Sequence, residues 1–386
     1  MSAKKFIPYG RQCIDEEDIQ AVAEVLRSDF LTTGPAVAEF EAALAKMAGT
    51  PYAVAIANGT AALHAAVAAA GIGPGDEVIT SPITFAASAN CALYVGATPV
   101  FADIDPQTYN IDPDDVERKI TARTKAIIPV HYTGQPCDMD RLAEIAKRNG
   151  LVLIADGAHA VGASYKGVAV GGLADMTTYS FHPVKQVTTG EGGAIVTTDK
   201  RLYEALISFR SHGITRDPAK LLQNRGPWYY EQQSLGYNYR LTDFQAALGT
   251  SQLKKLPQFL QKRREIARQY TAAFNGLPGM IAPWQSPAGE SAWHLYVLRL
   301  AIERLNVGRD VIFQELWDKG IGVNVHYIPV YWHPYYQQLG FIKGICPIAE
   351  TVFESMITLP LYPGLSEADV EYVIHNVQTV IQSHLN

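Results

Sequence analysis

Lys185 is the only Lys or Arg between Thr177 and Gly190, and it sits between two apolar runs with glycines close behind it. A lysine drawn out of water loses part of its preference for the ammonium form, and its free amine can attack an aldehyde. A solvated loop lysine is the plain alternative and the usual one. Asp156 closes the apolar run Leu151-Val-Leu-Ile-Ala155. A carboxylate there is costly unless a cation or strong donors meet it, and a pyridinium N–H is such a partner. Capping of the following turn serves equally well. His159, three residues on, can face the same pocket, although a lone His is more often structural. Asn58-Gly59-Thr60 separates an apolar run from an Ala-rich stretch. Free N–H groups at a helix start attract anions; Gly59 permits close approach and Thr60 adds a hydroxyl. Taken alone, the segment is more simply a helix cap. Ser180 is a second donor for the same anion or an unremarkable strand serine. Phe85, after Ser81-Pro-Ile-Thr84, can stack on a flat ring or fill a core. The order of anion loop, aromatic, strand-end acid and isolated lysine favours the chemical readings together. They describe a site for pyridoxal 5′-phosphate (PLP), with Lys185 as Schiff-base lysine and Asp156 on the ring nitrogen.

Elements able to position these residues are legible around them. Ala53–Ala57, Glu77–Thr80, Thr98–Ala102, Ala126–Val130, Leu151–Ala155, Thr177–Phe181 and Gly193–Thr198 read as short buried strands. Ala61–Ala70, Ala86–Val95 and Met139–Asn149 read as helices, the last stopped by Gly150. The alternation implies an α/β fold with a mostly parallel sheet covered by helices on both faces. Ligands of such sheets lie outside the carboxyl ends of the strands, where Asn58, Asp156 and Lys185 all fall. After residue 252 the pattern changes. Leu253–Phe274 reads as a long, charged, solvent-bridging helix. Trp293–Leu300 and Gly322–His326 read as strands, Arg309–Lys319 and Glu367–His384 as helices, and Ala282–Glu290 as a loop. This suggests a large domain, 12–252, and a smaller α+β domain, 253–386, with residues 1–11 packing near the substrate site.

Composition narrows the classes. The chain has 386 residues, 48% hydrophobic and 18% charged, with a net charge of -6. That suits a globular enzyme and lacks the basic footprint of a nucleic-acid binder. Four scattered cysteines without a CxxC pair, and no apolar leader, suggest a soluble cytoplasmic protein. No metal-ligand spacing stands out. His294 and Cys137 read as structural and passive. A nicotinamide enzyme predicts GxGxxG after the first strand, and Asn58-Gly-Thr is not that motif.

Five motifs in order carry a resemblance that runs over nearly the whole chain. They are Asn58-Gly-Thr-Ala-Ala-Leu63, Asp156-Gly-Ala-His159, Ser180-Phe-His-Pro-Val-Lys185, Thr189-Gly-Glu-Gly-Gly193 and Gly236-Tyr-Asn-Tyr-Arg-Leu-Thr-Asp243. The sequence resembles the nucleotide-sugar aminotransferases of the DegT/StrS type. The resemblance implies the aspartate-aminotransferase-like fold (PLP fold type I) with a seven-stranded sheet. It implies that Lys185 forms the Schiff base and shuttles the proton, Asp156 pairs with the ring nitrogen, and Phe85 stacks on the ring. His159 would lie by the phenolic oxygen. Asn58, Gly59, Thr60 and Ser180 would hold the phosphate, with Asn238 reaching it from the other subunit of a homodimer. Tyr9, Asp29, Phe30, Leu31, Thr32, Asn324, Val325, His326 and Tyr327 would line the sugar-nucleotide pocket. Within the family, Tyr9, Asp29-Phe-Leu-Thr32, the lysine loop, Val325–Tyr331 and Tyr335–Leu339 resemble the subgroup of the pseudaminic acid pathway. Tyr331 replaces a histidine carried by many relatives that act on other sugars. That subgroup implies L-glutamate as donor and amination at C4 of a UDP-linked 4-keto-6-deoxy-N-acetylhexosamine. Other keto sugars, PLP-dependent dehydration and a non-catalytic sensor are the rivals. Dehydratases of this type carry histidine in place of the lysine, and a sensor lacks support from any helix-turn-helix or basic arm.

Overall fold

Short apolar runs bounded by turns form the strands of one sheet. In chain order they are β1 (Tyr52–Ile56), β2 (Glu77–Thr80), β3 (Thr98–Phe101), β4 (Thr124–Ile128), β5 (Val152–Asp156), β6 (Met176–Ser180) and β7 (Gly193–Thr197). The computed structural model describes residues 6–223 and 225–386. Residues 1–5 of the expected N-terminal segment therefore lie outside the described residues. The strands lie side by side as β1-β7-β6-β5-β4-β2-β3. Pairs among β3, β2, β4, β5 and β6 are parallel, and β7 runs antiparallel to both β1 and β6.

Alternate residues of each strand enter different cores, as the two-residue period of a strand requires. Ala53, Ala55, Ala194 and Val196 pack with Phe40 and Leu44 of the helix Pro35–Ala48 and with Leu256 and Leu260. Val54, Ile56 and Ile195 pack on the opposite face with Ala62, Ala65 and Ala66 of the helix Gly59–Ala69. With both faces covered, the strands can be apolar throughout, and every residue of β2 and β7 is buried.

The C-terminal unit is smaller. Tyr296–Leu300 pairs antiparallel with Met280–Ile281 and with Met356–Leu359. Val370, Val373, Val377 and Ile381 of the closing helix Glu367–Ser383 join Tyr296 and Leu298 in its core.

Several elements depart from expectation. The long helix runs Asp243–Phe274, ten residues earlier than its charged stretch implies, and a capping box of Thr242 and Gln245 starts it. It is not solvent-bridging. Leu256, Phe259, Leu260, Arg263, Ile266, Ala267, Tyr270 and Phe274 are buried along it, so it ties the two cores together, and position 252/253 falls inside it. Gly322–His326 is no strand. Gly322 N–H donates to Ile7 O at 2.7 Å, and only an isolated bridge joins Asn324 to Thr358. The small-unit strand begins at Tyr296 rather than Trp293. The 282–290 loop ends in a two-residue strand, Gly289–Glu290, paired with Ser164–Tyr165. Cys137 lies in the loop before the helix Met139–Asn149 and is 1% exposed, with its Sγ donating to Val130 O at 3.2 Å.

Candidate active site

Because β1, β5 and β6 point the same way, their carboxyl ends bring Asn58, Asp156 and Ser180 to one edge of the sheet. A cavity of about 1030 Å³ opens there. Of the residues expected in the site, Tyr9, Asn58, Gly59, Thr60, Phe85, Asp156, His159, Ser180, Lys185, Asn324, Val325, His326 and Tyr327 line it. Asp29, Phe30, Leu31, Thr32 and Asn238 do not line it in this chain. Phe30 and Leu31 are exposed, Thr32 bridges to Thr242, and Asn238 bridges to Ser211. Tyr331 also stands away from the cavity. It is fully buried, and its hydroxyl donates to Glu350 Oε1 at 2.5 Å.

One end of the cavity is a helix N-terminus. Asn58 caps the helix Gly59–Ala69, its Oδ1 accepting from Ala61 N–H at 2.8 Å, while Ala62 N–H donates to Asn58 O at 3.0 Å. The N–H groups of Gly59 and Thr60 remain directed out of the helix, the arrangement that binds phosphate. The cap is made by the Asn58 side chain, and the anion reading would use different atoms, the N–H groups of Gly59 and Thr60. Two glycines let the strand ends close on the loop. A Cβ on Gly59 would stand 2.9 Å from Ser180 Cβ, and one on Gly193 only 2.5 Å from Asn58 O and 2.8 Å from Gly59 N. The second clash is with backbone and cannot be relieved by a rotamer. Gly193→Ala should therefore shift the anion loop, weaken PLP binding at least about tenfold, and cost about 1–3 kcal/mol of stability. Fluorescence titration of the apoprotein with PLP, beside a urea melt, checks both. Unchanged affinity would argue against the loop as the phosphate site.

Asp156 forms the floor. Its backbone is fixed by N–H donation to Pro129 O at 2.8 Å and by acceptance from His131 N–H at 3.0 Å. Its Oδ1 accepts from Ala158 N–H at 3.0 Å and its Oδ2 from Ser88 Oγ at 2.7 Å. Ser88 is in turn 2.7 Å from Thr84 Oγ1. Burial raises the pKa of Asp156, against the opposing pull of Ser88, Ala158 and the Lys185 charge. Among the described residues no cation lies within ion-pair distance of it. A buried carboxylate in this state lacks the charged partner that a pyridinium provides.

Lys185 faces it across the cavity. Its side chain is partly open to that space, but the surrounding protein desolvates the ammonium and brings its pKa down to about 8, with Arg263 adding to the fall and Asp156 opposing it. His159 Nε2 is 3.0 Å from Tyr327 Oη, and its buried Nδ1 has no protein partner among the described residues. Burial, then the Lys185 charge, holds His159 neutral. His326 Nδ1 meets Thr358 Oγ1 at 3.0 Å, and its ring lies 4.9 Å from that of Tyr9. The exposed ring of Phe85 stands 6.3 Å from that of Tyr327.

Sequence reasoning missed two residues. Ser88 is an ordinary helix serine until the fold sets it against Asp156. His294 was read as structural, yet its Nε2 lies 3.4 Å from Lys185 Nζ. The tripeptide Trp293-His-Leu295 offers no local signal for the second contact, nor does the stretch around Ser88 for the first.

A desolvated amine, a lone buried carboxylate and an open helix N-terminus in one cavity fit PLP and define a fold type I, PLP-dependent enzyme. The DegT/DnrJ/EryC1/StrS aminotransferase family model matches residues 12–378. The chain belongs to that family and is a PLP-dependent sugar aminotransferase. It is 44% identical over 379 residues to the spore coat polysaccharide biosynthesis protein SpsC of Bacillus subtilis, covering 98% of this chain and 97% of that protein. Among solved structures it is similar to Spr1654 of Streptococcus pneumoniae in its PMP form, at 37% identity and a TM-score of 0.92, covering 98% and 99% of the two chains. It is also similar to PseC of Helicobacter pylori, described as an aminotransferase of pseudoaminic acid biosynthesis, at 36% identity and a TM-score of 0.91, covering 98% and 100%. Among the described residues no helix is long and apolar enough to cross a membrane.

Proposed function

We propose that the chain moves an amino group from L-glutamate to C4 of a UDP-linked 4-keto-6-deoxy-N-acetylhexosamine. The product would be UDP-4-amino-4,6-dideoxy-N-acetyl-β-L-altrosamine, a precursor of pseudaminic acid made in the cytoplasm. The observation that carries amino transfer is the desolvated Lys185 amine in one cavity with the buried Asp156 carboxylate. The likeness to PseC over almost the full length of both chains supports the choice of sugar.

Asn58, Gly59, Thr60 and Ser180 hold the phosphate in this reading. Asp156 keeps the ring nitrogen protonated, Phe85 covers the ring, and His159 lies beside it. Bound PLP supplies the aldehyde and an electron-accepting ring. Lys185 Nζ takes up, and gives back, the proton that moves during transfer. Tyr9, Asn324, Val325, His326 and Tyr327 face the incoming sugar nucleotide.

A homodimer belongs to the same proposal, with Asn238 and Asp29–Thr32 serving the partner's cavity. Phe30, Leu31, Leu222, Trp228 and Leu235 leave large apolar side chains exposed on the single chain, and pairing would cover them. The division at 252/253 is likewise kept, with the long helix shared by both units.

A second reading, amination at C3 or C4 of another nucleotide-linked keto sugar, including dTDP or GDP forms, is favoured by the 44% identity to a spore coat polysaccharide protein. Incubation with ¹⁵N-glutamate and a panel of keto sugar nucleotides separates the two. NMR should find ¹⁵N at C4 of the UDP-N-acetyl sugar. Exclusive amination of a different sugar would replace the first reading by the second.

A further inference from the structure

Two buried side chains, His294 and Arg263, act on Lys185 from outside the set that would hold the cofactor. His294 is 4% exposed, and its Nδ1 has no partner among the described residues. Its ring packs on that of His159, with centroids 4.4 Å apart. Arg263, from the long helix, is wholly buried with no carboxylate at ion-pair distance among the described residues. Its Nη1 donates to the carbonyls of Trp293, His294 and Leu361 at 3.2, 3.3 and 2.9 Å, while Nε and Nη2 have no partners. His294 N–H donates to Thr133 O at 2.7 Å. Trp293 and Thr133 hold φ of 45° and 59°, left-handed conformations that side-chain-bearing residues adopt at a cost. An unpaired guanidinium and two left-handed residues thus converge on the backbone of one histidine. Each is unfavourable alone, and together they fix where His294 Nε2 points.

We propose that His294 and Arg263 act as one unit that sets the protonation state of Lys185. His294 Nε2 receives the hydrogen bond of the lysine amine, and Arg263 anchors the His294 segment while opposing a second positive charge at Nζ. The inference rests on the reading of Lys185 as the reactive amine. Asp156, His159, His294, His326 and Arg263 are the titratable or charged groups acting with Lys185 across the cavity. Burial keeps all three histidines neutral, so His294 can accept through Nε2 when its proton is on Nδ1. A neutral acceptor favours the ammonium and holds it in place. The fixed charge of Arg263 disfavours the ammonium. Arg263 is a positioning residue here, and His294 touches the reacting nitrogen.

Opposite shifts follow. His294→Leu keeps the bulk and excludes water but removes the acceptor, so the Lys185 midpoint should fall by about one unit. His294→Gln returns an acceptor and should restore it. Arg263→Met should raise the midpoint by about one unit. The measurement is the pH dependence of trinitrobenzenesulfonate labelling of the full-length chain before PLP is added, with the Lys185 peptide read by mass spectrometry. Midpoints of His294→Leu and His294→Gln that both match the parent would overturn the proposal, even if thermal stability fell. Should Arg263→Met not fold, the His294 pair decides alone. Borohydride reduction of the PLP-loaded parent tests the underlying reading separately. A label on another residue refutes that reading, whereas a label on Lys185 with unmoved midpoints refutes only the role of His294 and Arg263.

Discussion

Replacing Lys185 by alanine is expected to lower kcat by at least about 10²–10⁴-fold and to remove the borohydride-trapped cofactor from the protein. The expectation rests on the state of the amine. A lysine at its ordinary pKa has roughly 0.03% neutral amine at pH 7, whereas one brought to about 8 has roughly a tenth. That near 300-fold gain in the nucleophilic form comes chiefly from burial, and among the described residues no other lysine lines the cavity to replace it. Folding should survive. The side chain is partly open to the cavity, and the loop is held by backbone bonds such as Lys185 N–H to His182 O at 2.9 Å, which alanine keeps. The melting temperature should therefore move by only a few degrees. PLP should still bind, more weakly and without an imine. Absorbance, reduction and steady-state kinetics on one preparation check all three parts. Near-normal turnover, or reduction that still fixes PLP to the chain, would remove Lys185 from its assigned role.

That Asp156, Gly59 and Lys185 share one cavity was legible because each marks a local event. Asp156 ends a strand, Gly59 begins a helix, and Lys185 interrupts an apolar stretch. Such signals survive in one dimension. Ser88 lies 68 residues from Asp156, and His294 lies 109 from Lys185. Only the fold brings those pairs together, so no spacing rule reveals them. Other misreadings came from local patterns that tertiary structure overrode. Gly322-Val-Asn-Val-His326 alternates as a strand should, but the hydrogen bonds around it go to Ile7 and Thr358, and no ladder forms. Conversely, the start of the long helix was written in Thr242-Asp-Phe-Gln245, a capping box whose signal was obscured by the charged run after Leu253. Its buried face includes Arg263, which sequence alone reads as solvated, and that face couples the small unit to the site.

Asp156→Asn should separate catalysis from stability, because the same burial acts on both with opposite sign. The carboxylate has a raised pKa, so its ionised form is less favourable in the folded chain than in the unfolded one. For a group raised in this way, stability is fully present below the unfolded pKa and is lost as pH rises through the folded pKa. At neutral pH the apoprotein therefore carries a cost that a neutral amide avoids. Asparagine matches the shape, can accept from Ala158 N–H, and can donate to Ser88 Oγ. The asparagine apoprotein should melt at or above the parent temperature at pH 7, and the advantage should vanish as pH falls into the ordinary carboxylate range. Catalysis should move the other way. An amide cannot hold a proton on the ring nitrogen, and losing one partner of a buried charged pair costs about 3–5 kcal/mol, or roughly 10²–10³-fold or more in kcat. The measurements are apoprotein melts across pH and the kinetics of PLP-loaded parent and variant. An asparagine variant less stable than the parent at pH 7 but with unimpaired turnover would mean that Asp156 caps the turn after its strand and serves no cofactor.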